Sequence, residues 1–236
     1  MPDDDFNLES LAAYLHLDPG QVLKLAERGK LPGRKVAGGW RFAQAEIHHW
    51  LEDRIGLSTD AELLQMEGVL DKAATQAGEA AVSLEELLPL EAIAVPLPAR
   101  TRGSVITSLV DVAARTGWLW DTAKMAEAVR AREDMLPTAL DNGVALLHPR
   151  RPLANILAQP FVAFGRTDSG IPFGGPRGVL TDLFFLVLSA EDRGHLRVLA
   201  RLSRLLGDRG MLDELRAAPD AAAVQQAIAD RESRLG

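Results

Sequence analysis

Apolar positions along the chain follow two different periods, and the change from one to the other divides it. Leu8, Leu11, Ala12 and Leu15 recur at spacings of three and four, which predicts a short helix with Asn7 or Ser10 as its cap. Leu17-Asp18-Pro19-Gly20 breaks that pattern, with Asp18 placed to cap and Pro19 suited to the first helical position. A second helix then runs from Pro19 to Arg28, burying Val22, Leu25 and Ala26 and stopping at Gly29. From Lys30 to Phe42 the residues alternate and turn at Gly38-Gly39, as in a two-stranded hairpin. A third helix from Gln44 to Asp53 would turn Ile47, Trp50 and Leu51 inward. Two short helices about a tight turn make a helix-turn-helix, and the hairpin adds a wing.

Further on, Ser58 or Thr59 can cap a stretch in which Leu63, Met66, Leu70, Ala73 and Ala77 keep helical spacing. That stripe suits either a helix packed on its own domain or a linker pairing with a second copy of the chain. From about Leu84, short apolar runs alternate with helical stretches, the pattern of an α/β domain. The strands are predicted at Ala92–Val95, Val144–Leu147, Phe161–Phe164 and Leu183–Leu188. The helices are predicted at Ser104–Arg115, Asp121–Arg132 and His195–Leu206, with shorter ones near Met211–Arg216 and Ala221–Ala229. The expected organisation is therefore a winged helix-turn-helix in 1–56, a helical linker in 57–83 and an α/β domain in 84–236.

Composition narrows the chemistry. With 26 Lys+Arg against 33 Asp+Glu the net charge is -7, which argues against indiscriminate coating of nucleic acid. Yet from Lys24 to Arg41 six basic residues face one acidic residue, so the head is locally positive. The absence of cysteine excludes disulfides, thiolate metal sites and cysteine nucleophiles. Neither a leader pattern at the N-terminus nor an apolar run of spanning length is present, which points to a cytoplasmic protein without membrane insertion.

The N-terminal motifs are Leu-Ala-Ala-Tyr-Leu, Leu-Asp-Pro-Gly-Gln-Val, Glu-Arg-Gly-Lys-Leu-Pro, Gly-Gly-Trp-Arg-Phe and Ile-His-His-Trp-Leu-Glu. Together they resemble the excisionase or mercury-regulator type of winged helix-turn-helix DNA-binding domain. The resemblance implies that the second helix enters the major groove and the wing meets backbone or minor groove. Gln21 and Lys24 would then face base edges, while Arg28, Lys30, Arg34, Lys35 and Arg41 would address phosphates.

In the second domain one histidine stands out. Val144-Ala145-Leu146-Leu147 runs straight into His148, so a rigid strand would present an imidazole at the edge of a sheet. Imidazole as a class is neutral and nucleophilic near pH 7, and phosphoryl transfer asks mainly for positioning and positive donors. Arg132, the Arg150-Arg151 pair or a second imidazole could supply those donors. Spacing alone favours an ordinary strand-end histidine with a satisfied hydrogen bond.

Three stretches carry a resemblance that favours the chemical reading. Leu140 to His148 is similar to the phosphorylation site of the mannitol, fructose and nitrogen-regulatory enzyme IIA family of the sugar phosphotransferase system. Val129-Arg130-Ala131-Arg132-Glu133 resembles the helix end whose arginine lies near that histidine. Leu183 to Leu188 followed by Gly194 to Leu202 resembles the last strand and the helix bearing the family's second histidine. The resemblance implies an α/β sandwich with a mixed sheet flanked by helices. It implies a phosphohistidine carrier rather than a stand-alone turnover enzyme, with His148 as acceptor and Arg132 and His195 orienting or neutralising the phosphoryl group. It implies no metal or cofactor. Its partners would be the histidine-containing phosphocarrier protein as donor and, if phosphate is passed on, a separate IIB protein. The chain departs from the family where Leu147 replaces the usual proline before the histidine and Pro149-Arg150-Arg151 follows it.

Overall fold

The computed structural model describes residues 5–15, 17–36, 38–44, 46–47, 50–51, 68 and 82–235. They fall into two compact units, Met1–Ala81 and Val82–Gly236. The apolar stripe from Leu63 to Ala77, and with it the expected pairing of two copies, lies outside the described residues.

In the first unit a two-residue strand, β1 (Asp5–Phe6), precedes helix α1 (Leu8–Leu15). Asn7 and Ser10 share the cap between them: Ser10 N donates to Asn7 Oδ1 at 2.8 Å and Asn7 N donates to Ser10 Oγ at 2.9 Å. Helix α2 (Pro19–Glu27) starts from Asp18, whose carboxylate accepts from Gly20 N at 2.8 Å while Gln21 Oε1 accepts from Asp18 N at 3.1 Å. It stops before Gly29, whose φ of 65° only glycine adopts freely. Strands β2 (Arg34–Val36) and β3 (Gly39–Ala43) pair antiparallel with Val36 opposite Gly39, so Gly39 already belongs to a strand. The turn therefore comes one residue earlier than Gly38-Gly39, with the φ of 82° at Gly38 meeting the demand for a left-handed turn residue. β1 adds to the far side of β3 through Phe6 opposite Phe42, giving the order β1-β3-β2. Leu11, Val22, Leu31, Phe42 and Ile47 form the buried centre of this unit.

The second unit opens with α3 (Leu84–Leu87) and β4 (Ile93–Ala94), followed by α4 (Arg102–Ala114) and α5 (Thr122–Met135). Then come β5 (Val144–Leu147), β6 (Phe161–Ile171) and β7 (Thr181–Leu188). Helices α6 (Asp192–Leu206), α7 (Arg209–Ala217) and α8 (Ala221–Leu235) complete it. The sheet order is β4-β6-β7-β5, with β4 parallel to β6, β6 antiparallel to β7, and β7 parallel to β5. Leu147 is level with Leu186 and Phe161 with Leu188, so β5 and β7 finish at the sheet end where β6 begins.

Both faces of the sheet are covered, which is why its central strands read as unbroken apolar runs. Ala145, Leu147, Phe184, Leu186 and Leu188 share one core with Val105, Leu109, Met125 and Val129 of α4 and α5. Alternation sends Leu183, Phe185 and Val187 to the other face. There α6 packs on β7 and buries Leu196, Leu199, Leu202, Leu205 and Leu206. At about 1.5–3 kcal/mol for each buried leucine, that helix is firmly seated. Among the described residues no helix is long and apolar enough to cross a membrane.

Two clamps bear on the site. Residues 138–140 run antiparallel along the free edge of β5, with Ala139 opposite Ala145, Leu140 N donating to Val144 O at 2.8 Å and Leu146 N to Thr138 O at 3.4 Å. Where the unit begins, Glu232 of α8 accepts from Leu84 N at 2.8 Å and Glu85 N at 3.1 Å, and it pairs with Arg201 Nε of α6 at 3.1 Å.

Candidate functional site

β5 delivers His148 at its C-terminal end, and the strand needs a left-handed residue at its start. Gly143, with φ 86°, supplies it. Arg216 of α7 donates to Asp182 through Nε at 2.8 Å and Nη2 at 2.9 Å, and Nη2 also reaches Asn142 O at 2.9 Å. Asn142 Nδ2 in turn donates to Leu206 O at 3.0 Å. The turn leading into β5 is thereby tied to α6, α7 and β7 at once.

His148 Nδ1 lies 2.9 Å from Leu146 O. A carbonyl oxygen only accepts, so Nδ1 carries the hydrogen and the neutral ring keeps its lone pair on Nε2. His195 sits in the first turn of α6, where its backbone N donates to Glu191 O at 3.1 Å. Its Nδ1 is 3.1 Å from the hydroxyl of Ser189, the residue that follows β7. The two imidazoles meet edge to face, with ring centroids 4.9 Å apart and planes at 60°. Each histidine is 3% exposed, so bulk water is largely kept from the pair. Glu191 caps α6 by accepting from Gly194 N at 3.2 Å, and the positive end of the helix dipole falls beside His195.

Arg132 lies buried in the last turn of α5 and donates from Nη1 to Leu136 O at 2.7 Å. This bond ties the last turn of α5 to the residue that leads into 138–140, the segment flanking β5. Glu133, 1% exposed, accepts from Thr138 N at 3.2 Å and from the Thr138 hydroxyl, with Arg102 Nη2 at 3.6 Å. Burial pushes its carboxyl above the usual range, opposed by the Thr138 hydrogen bonds and the fields of Arg102 and Arg132. Pro149 is buried, whereas Arg150 and Arg151 are exposed and form no ion pair among the described residues. No cluster of three carboxylate or imidazole groups is placed to hold a metal ion among the described residues.

Ser189, Glu133, Thr138 and the Leu146 carbonyl escaped sequence reasoning. Only Ser189 left a trace, as the polar residue that closes the last apolar run.

In the first unit Gln21, Lys24, Arg28, Lys30, Arg34 and Lys35 are exposed and Arg41 is half-buried. Gln21 and Lys24 lie on the exposed face of α2, away from Val22 and Ala26, and Arg28 is its C-cap. Three of the other four expected contacts have partners within the head. Arg34 Nη2 pairs with Asp5 at 2.7 Å, Lys35 Nζ lies 5.4 Å from the Trp40 ring centroid, and Arg41 Nη1 donates to Trp40 O at 3.4 Å.

A mixed sheet covered on both sides, with two imidazoles meeting at one end, defines an α/β domain with a histidine-pair site. Residues 86–231 match the family model of the phosphoenolpyruvate-dependent sugar phosphotransferase system, EIIA 2, and the chain belongs to that family. Residues 6–55 match a helix-turn-helix domain. A nitrogen regulatory protein of Bradyrhizobium diazoefficiens is 36% identical over 150 residues, which is 62% of this chain and 94% of that protein. The fructose-specific EIIABC component of Bacillus subtilis is 30% identical over 151 residues, 63% of this chain and 23% of that protein. The crystal structure of nitrogen regulatory protein IIA-Ntr from Neisseria meningitidis superposes with a TM-score of 0.55 at 27% identity, covering 61% of this chain and 97% of that one.

Proposed function

We propose that this protein is a cytoplasmic phosphohistidine carrier and regulator in which His148 accepts a phosphoryl group and a winged helix-turn-helix head binds DNA. The observation that supports the acceptor role best is the Nδ1–Leu146 O bond, because it leaves Nε2 as the nucleophile. Nε2 attacks the phosphorus of the donor's phosphohistidine; the new N–P bond forms as the donor's N–P bond breaks, and the electron pair returns to the donor imidazole. Nδ1 keeps its hydrogen, and the Leu146 carbonyl offsets the positive charge that develops on the ring. His195, Arg132 and the N-terminal end of α6 stabilise the equatorial oxygens. The donor is the histidine-containing phosphocarrier protein of the phosphotransferase system, and no metal or cofactor takes part.

The head meets DNA through Lys24, Arg28, Lys30, Lys35 and Arg41. Gln21 serves as a donor only, since its amide oxygen is engaged at the Asp18 cap. Phosphate on His148 adds roughly -1.5 to -2 charges, and that change sets the affinity of the head for its operator. A second reading has His148 hand its phosphate to a separate IIB protein, a reading supported by the naming of the Bacillus subtilis relative as an EIIABC component.

The test incubates the full chain with phosphoenolpyruvate, enzyme I and the carrier protein and reads intact mass. A gain of one phosphate, about 80 Da, in the parent and none in His148→Ala is expected. No gain in either protein, under conditions that label a known IIA domain, refutes the acceptor role. Equal operator binding by the two phosphorylation states refutes the regulatory half.

A further inference from the structure

The two imidazoles that meet at the ends of β5 and β7 are held at Nδ1 by different kinds of oxygen. His148 Nδ1 faces the carbonyl of Leu146 at 2.9 Å. His195 Nδ1 faces the hydroxyl of Ser189 at 3.1 Å. A carbonyl oxygen only accepts, so it fixes one tautomer. A hydroxyl donates or accepts, and the tautomer of His195 turns on where the hydroxyl hydrogen goes.

Ser189 is 4% exposed, and among the described residues its hydroxyl meets no polar group besides His195 Nδ1. If Nδ1 donated to Ser189 Oγ, the hydroxyl hydrogen would be buried without an acceptor, the costlier arrangement. If Ser189 donates, one bond satisfies both groups. The carboxylate nearest in the chain is committed elsewhere, since Glu191 accepts from Gly194 N at 3.2 Å. The neutral ring of His195 therefore carries its hydrogen on Nε2, whereas that of His148 carries it on Nδ1. The ring centroids are 4.9 Å apart, and Nε2 of each ring is buried. With phosphate on His148, this tautomer of His195 offers the phosphoryl oxygens a hydrogen-bond donor. The opposite tautomer would offer an anion a lone pair.

We infer that Ser189 is a positioning residue for phosphoryl transfer: by donating to His195 Nδ1 it keeps the His195 hydrogen on Nε2, as a donor to the phosphoryl group carried by His148. This rests on the reading of His148 as phosphoacceptor. Ser189 acts through His195 and needs no contact with the phosphate.

The experiment reads the ring nitrogen-15 shifts of His195 in the full chain, beside phosphoryl transfer from the phosphorylated carrier protein by quenched-flow intact mass. Among the five histidines, His195 is assigned by the signals lost in His195→Gln. The parent should show a lone-pair Nδ1 and a protonated Nε2. Ser189→Ala should mix the tautomers and lower the rate at saturating donor by about 2–12-fold, the worth of one neutral hydrogen bond. The half-saturating donor concentration should stay as in the parent. Ser189→Thr keeps the hydroxyl and should return ring shifts and rate together. A parent ring protonated at Nδ1 overturns the assignment. A rate that falls while His195 keeps the parental tautomer, or a lost tautomer with a parental rate, overturns the positioning role. No mass gain in the parent overturns the acceptor reading and this inference with it, whatever the ring shifts show.

Discussion

Replacing Gly143 by alanine should destabilise the second unit by about 2–4 kcal/mol, and the structure shows where the figure comes from. The φ of 86° puts an alanine in the left-handed region, at about 1–2 kcal/mol. Its Cβ would lie 2.7 Å from Arg216 Nη2 and 3.1 Å from Asp182 Oδ1, so the guanidinium must give way. That breaks a bidentate, charge-assisted pair which also holds Asn142 O, and these groups are 34% and 25% exposed. A discount for that exposure leaves about 1–2 kcal/mol for this part. Gly117 is the control: its φ is 74° and nothing lies within 4 Å of an added Cβ, so Gly117→Ala carries the strain alone. Hydrogen exchange of β6 and β7 amides in the full chain reads the opening of the unit. Gly143→Ala should lose about 30–800-fold protection, since every 1.4 kcal/mol is about tenfold. Gly117→Ala should lose about 5–30-fold by the same conversion. In an Arg216→Ala background the Gly143→Ala cost should shrink toward that of the control. Equal losses for the two glycines in the parent would refute the idea that Arg216 clamps the turn into β5.

Glu133 makes a pH-dependent prediction. Its carboxyl is raised above 4.5, so the folded state binds the proton more tightly than the unfolded state does; its stabilising contribution is complete below about 4.5 and is lost as pH rises through the raised value. Urea titrations across that window should show parent stability falling relative to Glu133→Gln as pH increases, and parallel curves would contradict the assignment. In the head, Asp5→Asn frees Arg34 for phosphate, so the log–log salt slope of DNA binding by the full chain should steepen by about 0.9; an unchanged slope would show that Arg34 does not reach the backbone.

The sequence was most legible where period and punctuation agree. Val144 to Leu147 carries its strand and its histidine in one unbroken run, and Asp18-Pro19 announces α2 by its capping chemistry. Legibility failed where pairing overrode local character. β6 continues past its expected end at Phe164 to Ile171, because β7 pairs with Gly165, Arg166 and Ile171 across an irregularity in register. β1 is two residues long and exists only because β3 offers it an edge. α6 starts at Asp192, three residues before the expected start at His195, because Glu191 supplies a cap that an apolar period cannot reveal. At the site, His148, His195 and Arg132 were visible as residue types in motif order, and the fold brings the two imidazoles together. The groups that orient them were invisible. A backbone carbonyl, a serine just past a strand and a carboxylate five residues from its threonine partner become a site only through contacts made across the fold.

The Glu232 clamp has a mechanical consequence. The residues at which the second unit takes up the chain, Leu84 and Glu85, hang from one carboxylate that is shared with Arg201 of α6. A pull on the backbone at Leu84 or Glu85 is therefore borne by that one carboxylate. It does not unravel a loose end, and its load path leads into the helix that holds His195.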